Sequence, residues 1–193
     1  MALGKEVALI LVDVQKAFVE MEAAGHRRNN PDAVSNMARL LGAFRDRRLA
    51  VFHIRHASTE ATSLLRPDRS GYEAIGEASE RPGEPVLVKQ VNSAFIGTDL
   101  EQRLRDGGHR TLVIAGITTN HCVETTSRMA GNLGFDVRLV SDACYTFDRV
   151  GYAGGVESAE AIHAMTLSNL DGEFATIETT DTVLAALRHS AAA

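Results

Sequence analysis

Three side chains with complementary chemistry follow apolar segments that predict buried strands. Asp13 ends the run VALILVD, Lys89 follows PVLV, and Cys122 comes shortly after TLVIAGI. Because ligands of open parallel sheets bind beyond the carboxyl ends of the strands, we expect these three side chains to be neighbours. A thiol can act as a nucleophile, a carboxylate can take its proton, and a nearby ammonium lowers the pKa of the thiol. The combination predicts nucleophilic catalysis by a cysteine.

The segment around Cys122 predicts a tight turn between a strand and a helix. TLVIAGITTNHCVETT spans residues 111–126 and passes through Gly116 before helical spacing begins. This places the thiol near a helix N-terminus, where N–H groups favour a thiolate and can hold an oxyanion. Each residue also has a purely structural interpretation. Cys122 could be a small buried apolar side chain. Asp13 could cap the following turn, and Lys89 could be a solvated lysine.

Apolar segments alternate with amphipathic segments along the chain, which predicts a parallel sheet covered by helices on both faces. The predicted strands are Val7–Val12, Ala50–Ile54, Pro85–Val88, Thr111–Ala115, Asp136–Val140 and Phe174–Ile177. The predicted helices are Pro31–Arg48, with Asn30 as its cap, Asp99–Arg105, Cys122–Leu133, Val156–Ser168 and Asp181–His189. Segment 55–84 has weak periodicity, and we expect it to cap a site or to contact a neighbouring subunit.

Composition limits the possible classes of protein. The 193 residues are 45% hydrophobic and 23% charged, which is typical of one globular domain, so residues 1–193 are predicted to form a single domain. A net charge of -5 argues against a nucleic-acid partner. No apolar segment approaches the roughly 18 residues of a membrane span, and we expect no membrane partner. The N-terminal apolar run is interpreted as a strand rather than a secretion signal, which predicts a cytoplasmic protein.

Three segments carry a resemblance to a known family: LILVDVQKAF at 9–18, VKQVNSAFIGTDLEQRLRDGG at 88–108 and AGITTNHCVETTSRMAGNLGFDVRLVSDAC at 115–144. In order and spacing they resemble the isochorismatase-like cysteine hydrolases, a family that includes nicotinamidases, N-carbamoylsarcosine amidohydrolases and ureidoacrylate hydrolases. The resemblance implies a three-layer α/β/α fold with a six-stranded parallel sheet of order 3-2-1-4-5-6. That order reverses between the first and fourth strands, where Asp13 and Cys122 would flank a crevice.

The resemblance also implies roles for individual residues. Asp13, Lys89 and Cys122 match the family's catalytic triad, and the Ile117–Thr118 bond matches a cis peptide of the family. The N–H groups of Thr118 and Cys122 would then form the oxyanion hole. The implied reaction is hydrolysis of an amide, ureide or lactam C–N bond of a small molecule through a thioester. Since relatives usually assemble, we also expect a homo-oligomer.

The substrate pocket is predicted from side chains near the strand ends. Phe18 and Phe95 match aromatic positions that often face the substrate in the family. His53, Arg55 and Tyr145 could recognise polar groups, and the planar Arg55 guanidinium could hold a carboxylate. Core packing is the alternative interpretation of the two phenylalanines.

We predict that no cofactor and no metal are needed. His53 and His56 in FHIRHAS form a pair without an intervening acid, which counts against a metal site and against nicotinamidase activity. His121 is next to Cys122, but neighbours on a helix point in different directions.

Cys144 is predicted to be a packed thiol. No strand-linked glycine motif for a dinucleotide is present, so a nucleotide binder is disfavoured. The alternative to a hydrolase is a catalytically idle member that binds a small molecule or a partner.

Overall fold

The computed structural model describes residues 3–189, which form a parallel sheet with helices on both faces. The strands of this part of the chain are β1 (Val7–Val12), β2 (Ala50–His56), β3 (Val86–Lys89), β4 (Thr111–Ile117), β5 (Asp136–Tyr145), β6 (Arg149–Val150), β7 (Val156–Glu157) and β8 (Thr176–Glu178). The main sheet has six strands in the order β3-β2-β1-β4-β5-β8, and β6 and β7 form a separate hairpin. The predicted fold and strand order are confirmed, with β8 as the sixth strand of the sheet.

The α-helices of residues 3–189 connect most of the strands, whereas β2 and β3 are joined by a segment with two short 3-10 turns, Ser70–Tyr72 and Gly76–Ala78. The α-helices are α1 (Ala17–Ala23), α2 (Ala33–Asp46), α3 (Leu100–Asp106), α4 (Glu124–Asn132), α5 (Ala159–Leu170) and α6 (Thr180–His189), and a π-helical turn (Thr119–Val123) leads into α4. The sequence pattern predicts neither α1 nor the hairpin. The helix predicted from Val156 begins at Ala159, because Val156 pairs in β7 and the Ser158 side chain caps α5 by accepting from the Ala161 N–H.

Two apolar cores lie on opposite faces of the sheet, and β1 contributes to both. Successive residues of a strand point to opposite faces, so Leu9 packs in one core and Ile10 in the other. The first core includes side chains of α2 and α6, and the second includes side chains of α3, α4 and α5. No helix within residues 3–189 is long and apolar enough to reach across a bilayer.

The start of α2 corrects the predicted cap. The helix begins at Ala33, and the preceding Asp32 makes no side-chain cap hydrogen bond. The Asn30 side chain instead donates to the carbonyl groups of Ser141 and Cys144, at 3.0 Å and 2.7 Å. A short polar side chain near the start of a helix can hydrogen-bond to a distant strand instead of capping the helix. Asn30 does this with carbonyl groups of β5.

Two backbone features shape the carboxyl edge of the sheet where β1 and β4 pair. Asp13 has φ of 52°, in the left-handed region that L-residues with side chains rarely adopt. Gly116 of β4 has φ of 144° and pairs with Val12. A Cβ atom at Gly116 would lie 2.1 Å from the Val12 carbonyl oxygen, so only glycine allows this close approach.

We expect Gly116→Ala to lower the free energy of unfolding by about 2–5 kcal/mol, because it adds backbone strain and a steric clash. Urea denaturation followed by circular dichroism measures this change. The matched control is Gly42→Ala in α2, where a Cβ meets nothing within 4 Å. That control should raise stability by about 0.5–1 kcal/mol, since alanine favours a helix interior. Equal stability of the two variants would contradict the packing described for Gly116.

Candidate active site

Asp13 and Lys89 form a buried ion pair at the carboxyl edge of the sheet. Asp13 directly follows β1, and Lys89 is the last residue of β3. Lys89 Nζ donates to Asp13 Oδ2 over 2.7 Å, with side-chain exposures of 0% for Lys89 and 1% for Asp13. The structure therefore brings together two groups that lie 76 residues apart in the chain.

The second carboxylate oxygen of Asp13, Oδ1, differs from Oδ2 in its contacts. Asp13 Oδ1 is buried and has no hydrogen-bond partner among residues 3–189. A carboxylate oxygen of Asp13, a ring nitrogen of His56 and the Cys122 sulfur all lie within 4.8 Å of one another. The thiol, the carboxylate and the ammonium thus share one site, as their positions after the strands predict.

Burial raises the pKa values of both the acid and the thiol. Desolvation raises the pKa of Asp13 above its usual value, although the Lys89 charge works in the opposite direction. The pKa of Cys122 rises to about 12, first through burial and then through the negative charge of Asp13, which together outweigh Lys89. The sequence-based expectation of a lowered thiol pKa is therefore wrong, because it considered the ammonium without the burial. In the resting site, Cys122 is therefore a thiol, and the neighbouring Asp13 carboxylate is more basic than usual.

Polar contacts fix the turn that carries Cys122. The peptide bond between Ile117 and Thr118 is cis. Arg149 Nη1 lies 3.1 Å from His121 Nε2 and can only donate, so the other ring nitrogen, Nδ1, donates to Thr118 Oγ1 at 3.1 Å. On the far side of the turn, the Thr119 hydroxyl pairs with a ring nitrogen of the buried His163 at 2.9 Å.

A cavity of about 690 Å³ opens onto the thiol. Its wall is partly apolar, formed by Phe18, Met21, Leu65 and Phe147, and the rings of Phe18 and Phe147 are 6.3 Å apart. Its polar lining includes Asp13, His26, His56, Glu60, Asn92, Thr118, Asn120, His121, Thr146, Asp148 and Arg149. Glu60 and Leu65 come from segment 55–84, so part of that segment borders the cavity. A larger groove of about 800 Å³ beside β3 and α3 contains none of the three chemical groups.

Of the residues predicted to line the pocket, Phe18 does so and the others lie elsewhere. His53 is buried and its Nε2 bonds to Glu84 at 2.9 Å. Arg55 bonds to Glu80 at 2.8 Å. Both side chains alternate with His56 along β2, so they point to the opposite face of the sheet. Proximity to a strand end was therefore insufficient to place them.

The two aromatic residues predicted with them are also displaced from the cavity. Phe95 is half-buried and stacks on Phe135 of the second core, with ring centroids 6.0 Å apart. Tyr145 is 1% exposed and lies in the first core, with the Arg28 guanidinium 4.5 Å from its ring centroid. Phe95 is thus packed against the core and also lines the larger groove beside β3 and α3, whereas Tyr145 is fully packed in the core.

Several cavity residues lie after β5 and were missed in the sequence. The prediction ended this strand at Val140, whereas it continues to Tyr145. Pairing with β4 is irregular here: Ile114 pairs with Leu139, but Gly116 pairs with Cys144. The residues between them belong to a bulge, so Phe147 and Arg149, not Ser141 or Asp142, follow the true strand end. The aromatic and basic residues of CYTFDR were the available signal.

Neither the second cysteine nor the histidine pair His53 and His56 supplies an alternative centre. Cys144 is fully buried, and burial raises the pKa of its thiol to about 12. A possible metal-ligand set within residues 3–189 consists of Asp13, His56 and Cys122. Lys89 contacts two of these side chains, so a metal ion among them would lie beside a fixed ammonium. The donor set therefore does not fit a metal while Lys89 is protonated, and His53 does not belong to it.

The fold and the site define a class of α/β proteins with a cysteine, an acid and a lysine at the carboxyl edge of a parallel sheet. The isochorismatase domain profile matches residues 7–182 of this chain. The chain therefore belongs to the isochorismatase family.

Similarity to individual proteins extends over nearly the whole chain. The isochorismatase family protein YrdC of Bacillus subtilis is 44% identical over 178 residues, covering 92% of this chain and 94% of the relative. The crystal structure of an isochorismatase-family protein from Chromobacterium violaceum has a TM-score of 0.93 at 45% identity, covering 98% of this chain and 97% of the other. The ureidoacrylate amidohydrolase RutB of Variovorax paradoxus is 29% identical, covering 92% of this chain and 80% of the relative.

We expect Asp13→Asn to make Cys122 react faster with iodoacetamide, even though it removes the base. Loss of the negative charge lowers the pKa of the thiol, so more of it is thiolate. The alkylation rate rises by only about threefold for each unit of pKa, because a thiolate of lower pKa is also a weaker nucleophile. Peptide mass spectrometry at pH 8–9 gives the rate at Cys122, and Cys122→Ala supplies the background from Cys144. Circular dichroism checks that the variant is folded, since breaking a buried ion pair costs about 3–5 kcal/mol. Slower alkylation of the folded variant would contradict the described electrostatics.

Proposed function

We propose that the protein is a cysteine hydrolase that cleaves a carbon–nitrogen bond of a small amide, ureide or lactam. The observation that carries this proposal is the Asp13 carboxylate, whose Oδ2 is held by Lys89 and whose Oδ1 has no hydrogen-bond partner among residues 3–189. One of its two oxygens lies within 4.8 Å of the Cys122 sulfur. A base with one oxygen fixed and the other available is suited to take a thiol proton. Its raised pKa makes it a stronger base than an ordinary carboxylate.

The first half of the reaction transfers the acyl group to sulfur. Asp13 takes the Cys122 proton as the sulfur attacks the carbonyl carbon, which forms the C–S bond and an oxyanion. The N–H groups of Thr118 and Cys122 stabilise the oxyanion, and Lys89 balances the charge of the site. As the oxyanion collapses, the C–N bond breaks and Asp13 gives its proton to the departing nitrogen. The products of this half are a thioester and ammonia or an amine; when the substrate is a lactam, the amine stays attached to the acyl group.

The second half returns the enzyme to its resting state. Asp13 takes a proton from a water molecule, whose oxygen attacks the thioester carbonyl. Collapse of this second tetrahedral species breaks the C–S bond and releases the acid product, and Asp13 returns the proton to the sulfur. The high pKa of Cys122 means that the resting thiol is recovered readily.

The size and lining of the cavity limit the substrate to a small molecule. The apolar wall of Phe18 and Phe147 suits a flat or apolar portion, and Arg149 and His121 offer polar contacts on the same cavity. Relatives support the reaction class by their names, which include ureidoacrylate amidohydrolase and nicotinamidase. We therefore expect a small amide or ureide rather than a peptide.

The assembly of the protein forms a separate part of the proposal, which is that it acts as a homo-oligomer. Val150, Tyr152 and Val156 of the β6–β7 hairpin and Met165 of α5 are exposed apolar side chains. Clustered apolar surface of this kind is typical of protein interfaces. The cytoplasmic location and the single-domain organisation stay predictions.

We expect hydrolysis of at least one member of a panel of small primary amides, N-carbamoyl amino acids, ureides and lactams, seen as released ammonia or amine or, for a lactam, as the ring-opened amino acid in mass spectrometry of the products. Cys122→Ala should lower kcat by on the order of 10⁴-fold or more, because no other group supplies the nucleophile. Coupled detection of ammonia measures turnover, and mass spectrometry of the quenched enzyme detects the acyl group on Cys122.

The matched control is Cys144→Ala, which removes the other, fully buried sulfur and should retain turnover. Normal turnover by Cys122→Ala on a substrate of the wild-type enzyme would refute the mechanism. Binding of panel compounds without release of amine, and without an acyl-enzyme, would instead favour the catalytically idle alternative.

A further inference from the structure

His56 makes a direct contact with the buried ammonium of the site. It is the last residue of β2, and its register partner on the neighbouring strand β3 is Lys89. His56 Nδ1 lies 3.2 Å from Lys89 Nζ. An ammonium can only donate, so Nδ1 is the acceptor and carries no hydrogen.

The backbone of His56 is fixed by Gln15, whose side chain is buried. Gln15 Oε1 accepts from the His56 N–H at 2.8 Å, and Gln15 Nε2 donates to the His56 carbonyl at 3.1 Å. The same Nε2 donates to the Tyr72 carbonyl at 3.0 Å. These bonds hold β2 and the loop after β1 together, so the ring of His56 is presented to Lys89 from a rigid position.

The charge state of His56 suits an acceptor. Burial lowers its pKa most, and the positive charge of Lys89 lowers it further. The charges of Asp13 and Glu60 and a hydrogen bond with the Val91 backbone work in the opposite direction. The ring is consequently neutral near pH 7, with a lone pair on Nδ1.

We propose that His56 is a positioning residue that holds the Lys89 ammonium in place between Asp13 and Cys122. This inference rests on the proposed hydrolase function and deepens it. The ammonium has three N–H donors, of which Asp13 Oδ2 and His56 Nδ1 accept two. With those two directions fixed, the third N–H is left for the Cys122 sulfur, with which Lys89 also interacts.

The physical reason is the cost of an unpaired donor in a buried place. Without an acceptor at position 56, one N–H of the buried ammonium loses its partner, and the position of Nζ is less fixed. A displaced ammonium is less able to balance the Asp13 charge or to stabilise a thiolate. His56 would therefore affect the chemical step without touching the reacting atoms.

The test compares His56→Phe, which keeps an aromatic ring but lacks the acceptor, with His56→Asn, whose Oδ1 can occupy the place of Nδ1. Iodoacetamide alkylation of Cys122 at pH 9, followed by mass spectrometry, needs no knowledge of the substrate. We expect alkylation to slow by about tenfold in His56→Phe and to stay within threefold of wild type in His56→Asn. Any substrate found in the panel should show the same pattern in kcat, with KM unchanged.

The matched control is His109→Phe, at a half-buried histidine outside the cavity that packs on Phe52. It should leave alkylation and kcat unchanged, and thermal denaturation checks that all variants are folded. Unchanged or faster alkylation in folded His56→Phe would overturn the inference, as would equal losses in His56→Phe and His56→Asn. Loss of wild-type turnover on treatment with EDTA, restored by Zn²⁺, would also overturn it in favour of a metal-ligand role. The proposed function fails separately, through a fully active Cys122→Ala enzyme.

Discussion

The buried ion pair between Asp13 and Lys89 is the interaction on which the site depends. Removing two charges from water costs about as much as their attraction returns, so such a pair constrains a structure more than it stabilises it. Each partner makes the burial of the other possible, and both are carried by strand ends at one edge of the sheet. The positions of the sulfur, the neighbouring imidazole and the cavity are all defined relative to this pair.

Burial gives the site its proton distribution. The same desolvation raises the pKa of Asp13 and that of Cys122, so the sulfur keeps its proton and the carboxylate becomes more basic. A thiolate–ammonium pair at rest would require the positive charge of Lys89 to dominate, and Asp13 already neutralises that charge. In the proposed mechanism, the nucleophile is therefore generated only when the proton moves to Asp13 as sulfur attacks.

Topology explains why residues so distant in sequence meet. The strand order reverses between β1 and β4, and the loops after these strands diverge to leave a crevice at their carboxyl ends. Gly116 lets β4 approach β1 closely just before the turn that carries Cys122. On the other side of β1, the register between β2 and β3 pairs His56 with Lys89, which brings the imidazole to the same edge of the sheet.

The sequence by itself determined the strand pattern and the candidate residues Asp13, Lys89 and Cys122, because buried parallel strands and their polar ends leave strong local signals. The order of the strands in the sheet came from the family resemblance. Only the tertiary structure decided which face His53 and Arg55 take, that Asn30 bonds to β5, and that β5 extends past a bulge to Tyr145. It also decided the direction of the Cys122 pKa shift. Burial and the net effect of opposing charges depend on everything packed around a group, and no local pattern of residues encodes that sum.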